Sequence, residues 1–242
     1  MIGTITNVGA VIAGSAIGAI AGSRFPLRFR ETIMGALGLA TMAIGIREAL
    51  STDEFPLVLG AVLLGTVIGE LVRIEHGLES LGAMLQRQFA RDEIVVIDVD
   101  APETAEPVAP HRGFAEGFII ASLVFCVGPL LIVGSIEDGL GNPDLLLVKA
   151  ALDGFASIAF ASVYGWGVMM SIIPIIVLQG GIALGAGALE GVLTDPMLDA
   201  LGTAGGILLL GIALRLLDLK KIRVANMLPA VVLAPLFVRW WG

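Results

Sequence analysis

The chain has 242 residues, 57% of them hydrophobic and only 15% charged, with a mean hydropathy of +0.95. Soluble domains run nearer ~45–50% apolar and ~25% charged, so an ordinary soluble domain is excluded and an integral membrane protein is indicated. A net charge of −8 has the wrong sign for nucleic-acid binding, and a single cysteine, Cys126, excludes an intrachain disulfide.

Apolar runs long enough to cross ~30 Å of hydrocarbon recur at 3–22, 31–50, 55–73, 114–136, 144–167, 172–190, 198–217 and 223–240. They predict an all-α polytopic membrane protein of eight spans. Only the GWG of 165–167 and Pro174 separate the fifth from the sixth, so seven spans is the alternative. No basic segment precedes the first run, and no cleavable signal peptide is expected.

Span 1 carries Asn7, then Gly14, Gly18 and Gly22. Small residues at every fourth position let helix backbones touch. Ala61, Gly65 and Gly69 repeat the spacing in span 3, as do Ala183, Gly187 and Gly191 in span 6. These stripes imply close packing, within one protomer or in a homodimer.

Loop charge orients the spans. Arg24, Arg28 and Arg30 follow span 1. Arg73, Arg87, Arg91 and Arg112 lie between spans 3 and 4, and Arg215, Lys220, Lys221 and Arg223 between spans 7 and 8. The other loops are acidic: Asp53 and Glu54; Glu137, Asp138 and Asp144; Glu190, Asp195 and Asp199. Eight spans with both termini outside put each basic cluster in the cytoplasm, as the positive-inside rule requires. Arg47 and Arg239 do not fit, each near the outer end of a span. Seven spans would place 215–223 outside.

Within the segment 76–112, Leu78, Leu81, Leu85 and Phe89 fall at helical spacing and predict an amphipathic helix on the inner membrane face. The acidic, Pro-rich stretch after it reads as a linker. In span 4, Phe125, Cys126, Gly128 and Pro129 sit together. Pro129 has no N–H and clashes with the carbonyl of Phe125, which predicts a break in mid-span. Broken helices can expose carbonyls to ions; a plain kink is the alternative.

Span 5 holds Lys149 and Asp153, four residues apart and so on one helical face, continued by Ser157, Phe160 and Tyr164. At a rise of about 1.5 Å per residue, Asp153 lies ~13 Å from Asp144, near mid-bilayer, where charge is costly. The pair reads as a proton or cation site, with Lys149 as an internal counter-charge; the alternative is a structural salt bridge. Gln179 in span 6 and Asn226 at the start of span 8 are further intramembrane amides. Glu116 opens span 4. Glu70 and Arg73 are expected to pair at the inner interface.

An internal repeat is also visible. Residues 9–22 resemble 180–193, and 36–46 resemble 200–212 with two residues inserted. Spans 1–3 would then match spans 6–8 with inverted orientation, a pattern common in secondary transporters, around the central pair 4 and 5. Asn7 and Gln179 fall at near-equivalent positions.

Enzyme motifs such as HExxH, CxxC and GxSxG are absent, and the only histidines are His76 and His111. No catalytic residue, metal site or cofactor is expected, and the protein is read as not an enzyme.

The strings MIGTITNVGAVIAGSAIG, RFRETIMGALGLATMAIGI, ASLVFCVGPLLIVGSIEDGL and VKAALDGFASIAFAS together resemble the YdfK/YqgA family of bacterial inner-membrane proteins, domain of unknown function 554. The resemblance covers essentially the whole chain apart from about 77–112. It implies a multi-pass protein of the bacterial cytoplasmic membrane and brings no substrate or catalytic residue.

The organisation read from the sequence is a first membrane repeat (1–75), a cytoplasmic helix and linker (76–112), a central helix pair (113–171) and a second membrane repeat (172–242). The function expected is a small secondary transporter or channel for an ion or small solute. Its site would comprise Asp153, Lys149, Asn7, Gln179, Ser157, Tyr164, Phe125, Cys126, Gly128 and Pro129. The alternative is a non-transporting assembly, sensing or signalling protein acting through its cytoplasmic loop. The lipid bilayer, an ion or small solute and a second copy are the partners implied, and nucleic acid is not.

Overall fold

The computed structural model describes residues 1–22, 24, 26–89, 111–189 and 191–242. Most of the predicted linker, with Arg91, and also Glu190 lie outside the described residues. The described part is all-α. The long helices are α1 (Ile2–Gly22), α2 (Leu27–Ala49), α3 (Phe55–Val72), α4 (Ile74–Phe89), α5 (His111–Cys126), α6 (Pro129–Gly139) and α7 (Asp144–Tyr164). A broken stretch follows: a 3₁₀ turn (Gly165–Ser171), α8 (Ile172–Ile175), a π turn (Ile176–Gly180), α9 (Gly181–Leu184) and α10 (Ala186–Leu189). Then come α11 (Asp195–Leu216), a 3₁₀ turn (Val224–Met227) and α12 (Pro229–Trp241).

Among the described residues six stretches are long and apolar enough to cross a membrane, or seven if α5 and α6 count as one. Those two helices meet at a 66° bend. Gly128 there has φ +137°, a conformation open chiefly to glycine, and Pro129 starts the next helix. The stretch 144–184 counts as a single 41-residue unit by composition, ~60 Å of helix against ~30 Å of hydrocarbon. The chain in fact turns back inside it at Gly165, φ +69°. Both of its ends lie against α6: Gly134 packs on Leu145 and Leu146, and Gly139 packs on Ala183 and Ala186.

Glycine dictates the tightest packing. A methyl group at Gly14, Gly18 or Gly22 would run into the carbonyl of Gly154, Ile158 or Ser162, respectively. With Gly3 against Leu146, this register makes α1 and α7 parallel neighbours whose backbones touch. Gly65 and Gly69 seat α3 on Ala230 and Asn226 in the same way. Gly38 and Gly206 seat α2 against α11. The small-residue stripes of spans 1 and 3 therefore serve packing within the protomer. Span 6 differs: Ala183 meets Gly139, but a methyl at Gly187 would meet nothing within 4 Å.

Helix α4 begins at Ile74. Its Leu85 is buried, and Leu78 and Leu81 pack half-buried on the main core. It is thus an amphipathic helix laid against the bundle by its apolar face.

Candidate functional site

α7 presents Lys149 and Asp153 one turn apart, both buried, and the Lys149 ammonium donates to Asp153 Oδ2. The side chains are 7% and 10% exposed, so the pair is almost sealed. The parallel docking of α1 brings Asn7 to the same place. Asn7 Nδ2 lies 3.1 Å from Asp153 Oδ2 and 3.2 Å from Gln179 Oε1, donating to both. Gln179 sits in the π turn, a local widening of the helix often found at functional sites. Four residues chosen from the sequence, on three separate segments, thus form one buried polar cluster.

The cluster is incompletely satisfied. Asn7 Oδ1 and Gln179 Nε2 are buried with no hydrogen-bond partner, as are Ser15 Oγ and Ser171 Oγ. Buried polar atoms are otherwise nearly always bonded. Here an acceptor and a donor are left free directly beside an ion pair.

The remaining predicted residues are placed less centrally. Ser157 Oγ donates to the main-chain carbonyl of Asp153 at 2.6 Å, so its hydroxyl supports α7 rather than facing the carboxylate. Tyr164 lies ~16 Å along α7 from Asp153 and packs on Gly117 of α5, at the C-terminal end of α7. Phe125 stacks edge-on against Phe160 with centroids 6.1 Å apart, which joins span 4 to the α7 face. Cys126 is within electrostatic range of Lys149 and Asp153. Gly128 and Pro129 make the predicted break, but they abut α11: a methyl at Gly205 would lie 3.6 Å from Gly128 N, and one at Gly202 3.5 Å from Pro129 Cγ.

Two clusters escaped the sequence. Near the start of α1, the Asp138 carboxylate accepts Gly3 N (2.8 Å), Thr4 N (3.0 Å) and Thr4 Oγ1 (2.9 Å), capping the helix from α6. At the other side, Arg215 donates to Glu75 and to Glu116, each at 3.0 Å. Glu75 Oε2 also accepts Ala225 N, and Asn226 Oδ1 accepts Glu75 N. Glu70 bonds Arg223 and Asn226 rather than Arg73: the helix ends at Arg73 with φ +58°, and Asn226 packs directly on Gly69. Spacing along the chain could not reveal these contacts, because each joins residues about 100 or more positions apart. The cavities described also lie on this side, one of ~340 Å³ lined by Glu70, Arg73, Glu75, His76, Glu79, Arg223 and Asn226. Among the described residues no group of three or more His, Cys, Asp or Glu could hold a metal ion.

Comparison with known proteins gives the chain a family. Residues 2–239 match the model of the family described as a protein of unknown function, DUF554. The chain is 31% identical to the uncharacterised protein YqgA of Escherichia coli strain K12, over 99% of its own length and 97% of that relative's. It is 29% identical to the uncharacterised membrane protein YdfK of Bacillus subtilis strain 168, over 98% and 96%. No solved structure matches it. The chain belongs to the DUF554 family, and it is an all-α membrane protein with several membrane-spanning helices.

Proposed function

We propose that the protein is a small secondary transporter or channel for an ion, with Asp153 as the binding carboxylate and Lys149 as a tethered cation that yields its place to the transported one. The observation that carries this reading is the cluster of Lys149, Asp153, Asn7 and Gln179 with two amide atoms left unbonded. A salt bridge kept only for stability should be fully satisfied, because an unpaired buried polar atom costs ~1–3 kcal/mol. Intramembrane charges commonly mark ion pathways.

The inverted repeat supports the same reading. Gly38 and Gly202 are equivalent under the match of 36–46 with 200–212. Gly38 seats on Leu217 at the far end of α11, and Gly202 seats by Glu48 and Ser51 at the far end of α2. Asn7 and Gln179, near-equivalent, bond each other. The turn-back at Gly165 and the bend at Gly128 fit eight passes, with both termini outside and Asp153 near mid-bilayer. The protein works without catalytic chemistry, metal or cofactor in this reading.

The near-sealed state of Lys149 and Asp153 favours a second reading, a non-transporting assembly or sensing protein in which the pair only fastens α7. Reconstituted vesicles decide between them. Ion currents carried by the wild type should disappear in Asp153→Asn, whose amide oxygen can still accept from Lys149, and should survive deletion of 92–110. A folded Asp153→Asn protein with unchanged currents would leave the second reading.

A further inference from the structure

The four buried polar atoms without partners are not scattered. Asn7 and Ser15 lie on α1, and Gln179 and Ser171 lie on the returning stretch. That stretch doubles back along α6 and so runs antiparallel to α1. The Asn7–Gln179 hydrogen bond fixes the register. Stepping four residues forward on α1 and four back on the returning stretch, that register sets Val11 level with Ile175; both are fully buried. Four more bring Ser15 level with Ser171, also fully buried. By this register the four buried polar side-chain atoms without a partner among the described residues fall along one seam, Asn7 with Gln179 and Ser15 with Ser171, and an apolar pair lies between them.

The hydroxyls are unusual for buried helical serines. Ser122, Ser135 and Ser157 each donate to the carbonyl four residues earlier, at 2.5–2.6 Å, the usual way such a hydroxyl is satisfied in a helix. Ser15 and Ser171 do not. The π turn at Ile176–Gly180 helps keep Gln179 on the line of Ile175 and Ser171, because its wider turn offsets the ~40° drift of every fourth residue in an α-helix. Beside Gln179, Gly180 is buried, yet a methyl there would meet no atom within 4 Å. The seam is polar at both pairs, and there is open space beside Gln179 at one end of it; polarity and room are the two conditions a buried water requires.

The seam joins two places already described. One end is the Lys149–Asp153 pair, reached through Asn7. Gly14, next to Ser15, would touch Ser157 if it carried a methyl, so the seam stays against the α7 face below Asp153. The other end is the 165–171 turn, next to Tyr164. Tyr164 packs on Gly117, neighbour of Glu116, whose side chain is 30% exposed and holds Arg215. The ionisable groups near Asp153 are Lys149 on its own helix and Cys126 from α5.

We infer that this seam holds a file of water molecules carrying protons between the cytoplasmic side and Asp153, which makes the proton the ion exchanged there. The inference rests on the transport reading above and names its ion. A proton enters the file as hydronium and leaves the last water to form an O–H bond on the Asp153 carboxylate. Lys149 keeps all its protons and loses only its hydrogen bond to Asp153. Release reverses the step, and no oxidant or co-reactant is involved.

The test compares two double variants of the full chain in vesicles containing a pH-sensitive dye, with an imposed membrane potential. Ser15→Val with Ser171→Val removes both hydroxyls, while Ser15→Thr with Ser171→Thr keeps them at the same side-chain size. Proton flux should fall at least tenfold in the valine pair and stay within about twofold of wild type in the threonine pair. Hydroxyl-radical footprinting of the wild type should label Val11 and Ile175, because bound water generates the radical beside them. Wild-type proton flux in the valine pair, or unlabelled Val11 and Ile175, overturns the inference. An Asp153-dependent current carried by another ion, without proton flux, overturns it too and leaves the transport reading standing. Absence of any Asp153-dependent flux overturns both. If the valine pair does not fold, Ser171→Val alone is read the same way.

Discussion

α1 and the returning stretch 165–189 are built from the same residues and behave in opposite ways. Both are rich in glycine and alanine, and part of one resembles part of the other in sequence. In α1, Gly14, Gly18 and Gly22 each meet a carbonyl of α7, and the helix runs unbroken for 21 residues. In the returning stretch, Gly180, Gly181 and Gly187 meet nothing within 4 Å, and the backbone passes through 3₁₀, α, π and α segments. A glycine inside a helix costs ~1 kcal/mol relative to alanine. Close backbone packing offsets that cost in α1, and nothing offsets it at these three glycines. The comparison divides the molecule into a frame, α1 with α7, and an arm that carries Gln179 and is seated at Gly167 on the Phe114 carbonyl and at Ala183 on Gly139, but has three glycines between and beyond these points that face open space.

The strongest way to break that division is to attack the frame. Gly18→Leu drives a branched side chain into the Ile158 carbonyl; over-packing costs ~1–3 kcal/mol and occasionally more, and a clash with backbone belongs at the top of that range. The expected result is loss of monodisperse protein in detergent. A well-folded Gly18→Leu protein would mean that α1 is not held by its backbone contact. The ion pair is next. Lys149→Met leaves Asp153 buried without its cation, and breaking a buried pair costs about 3–5 kcal/mol. The double variant Lys149→Met, Asp153→Leu should recover most of the lost thermal stability, because a dry pair is often replaceable by apolar residues, while ion flux stays absent. Failure of the double variant to recover would mark the pair as structural.

A smaller effect is expected where α11 meets α4. Arg215→Leu leaves Glu75, 6% exposed, without its cation but still bonded to Ala225 N. A charge-assisted hydrogen bond contributes ~2 kcal/mol. The melting temperature should fall, and protease should cut α4 sooner than in wild type. Equal cleavage rates would show that α4 is held by Leu78, Leu81 and Leu85 alone.

These predictions also show what could be read in advance. The helix boundaries, the break at Gly128–Pro129 and the one-turn spacing of Lys149 and Asp153 are local properties, fixed by apolar run length, proline and helical period. Asn7 and Gln179 were legible as costly amides, but their meeting depends on α1 lying parallel to α7, which no periodicity encodes. Ser15 and Ser171 gave no signal at all. Buried helical serines usually bond their own backbone, and only three-dimensional partners reveal the ones that do not. The placement of Tyr164 away from Asp153 is of another kind: a shared face puts residues in one direction, and depth along a helix then separates them.

The smallest expected effect tests the arm itself. Gly181 is exposed, has φ −63° and ψ −45°, and has open space where a methyl would go. Alanine fits this conformation without strain, so Gly181→Ala should stabilise the protein by up to ~1 kcal/mol, seen as a modest rise in melting temperature. If the arm must change its helical winding for Gln179 to release Asn7, the same substitution should slow ion flux while raising stability. A stiffer arm with unchanged flux would place the moving element elsewhere, with the bend between α5 and α6 as the next site to restrain. Higher stability with slower flux would instead tie the open-faced glycines to turnover, and would explain why Gly180, Gly181 and Gly187 are kept without a packing partner.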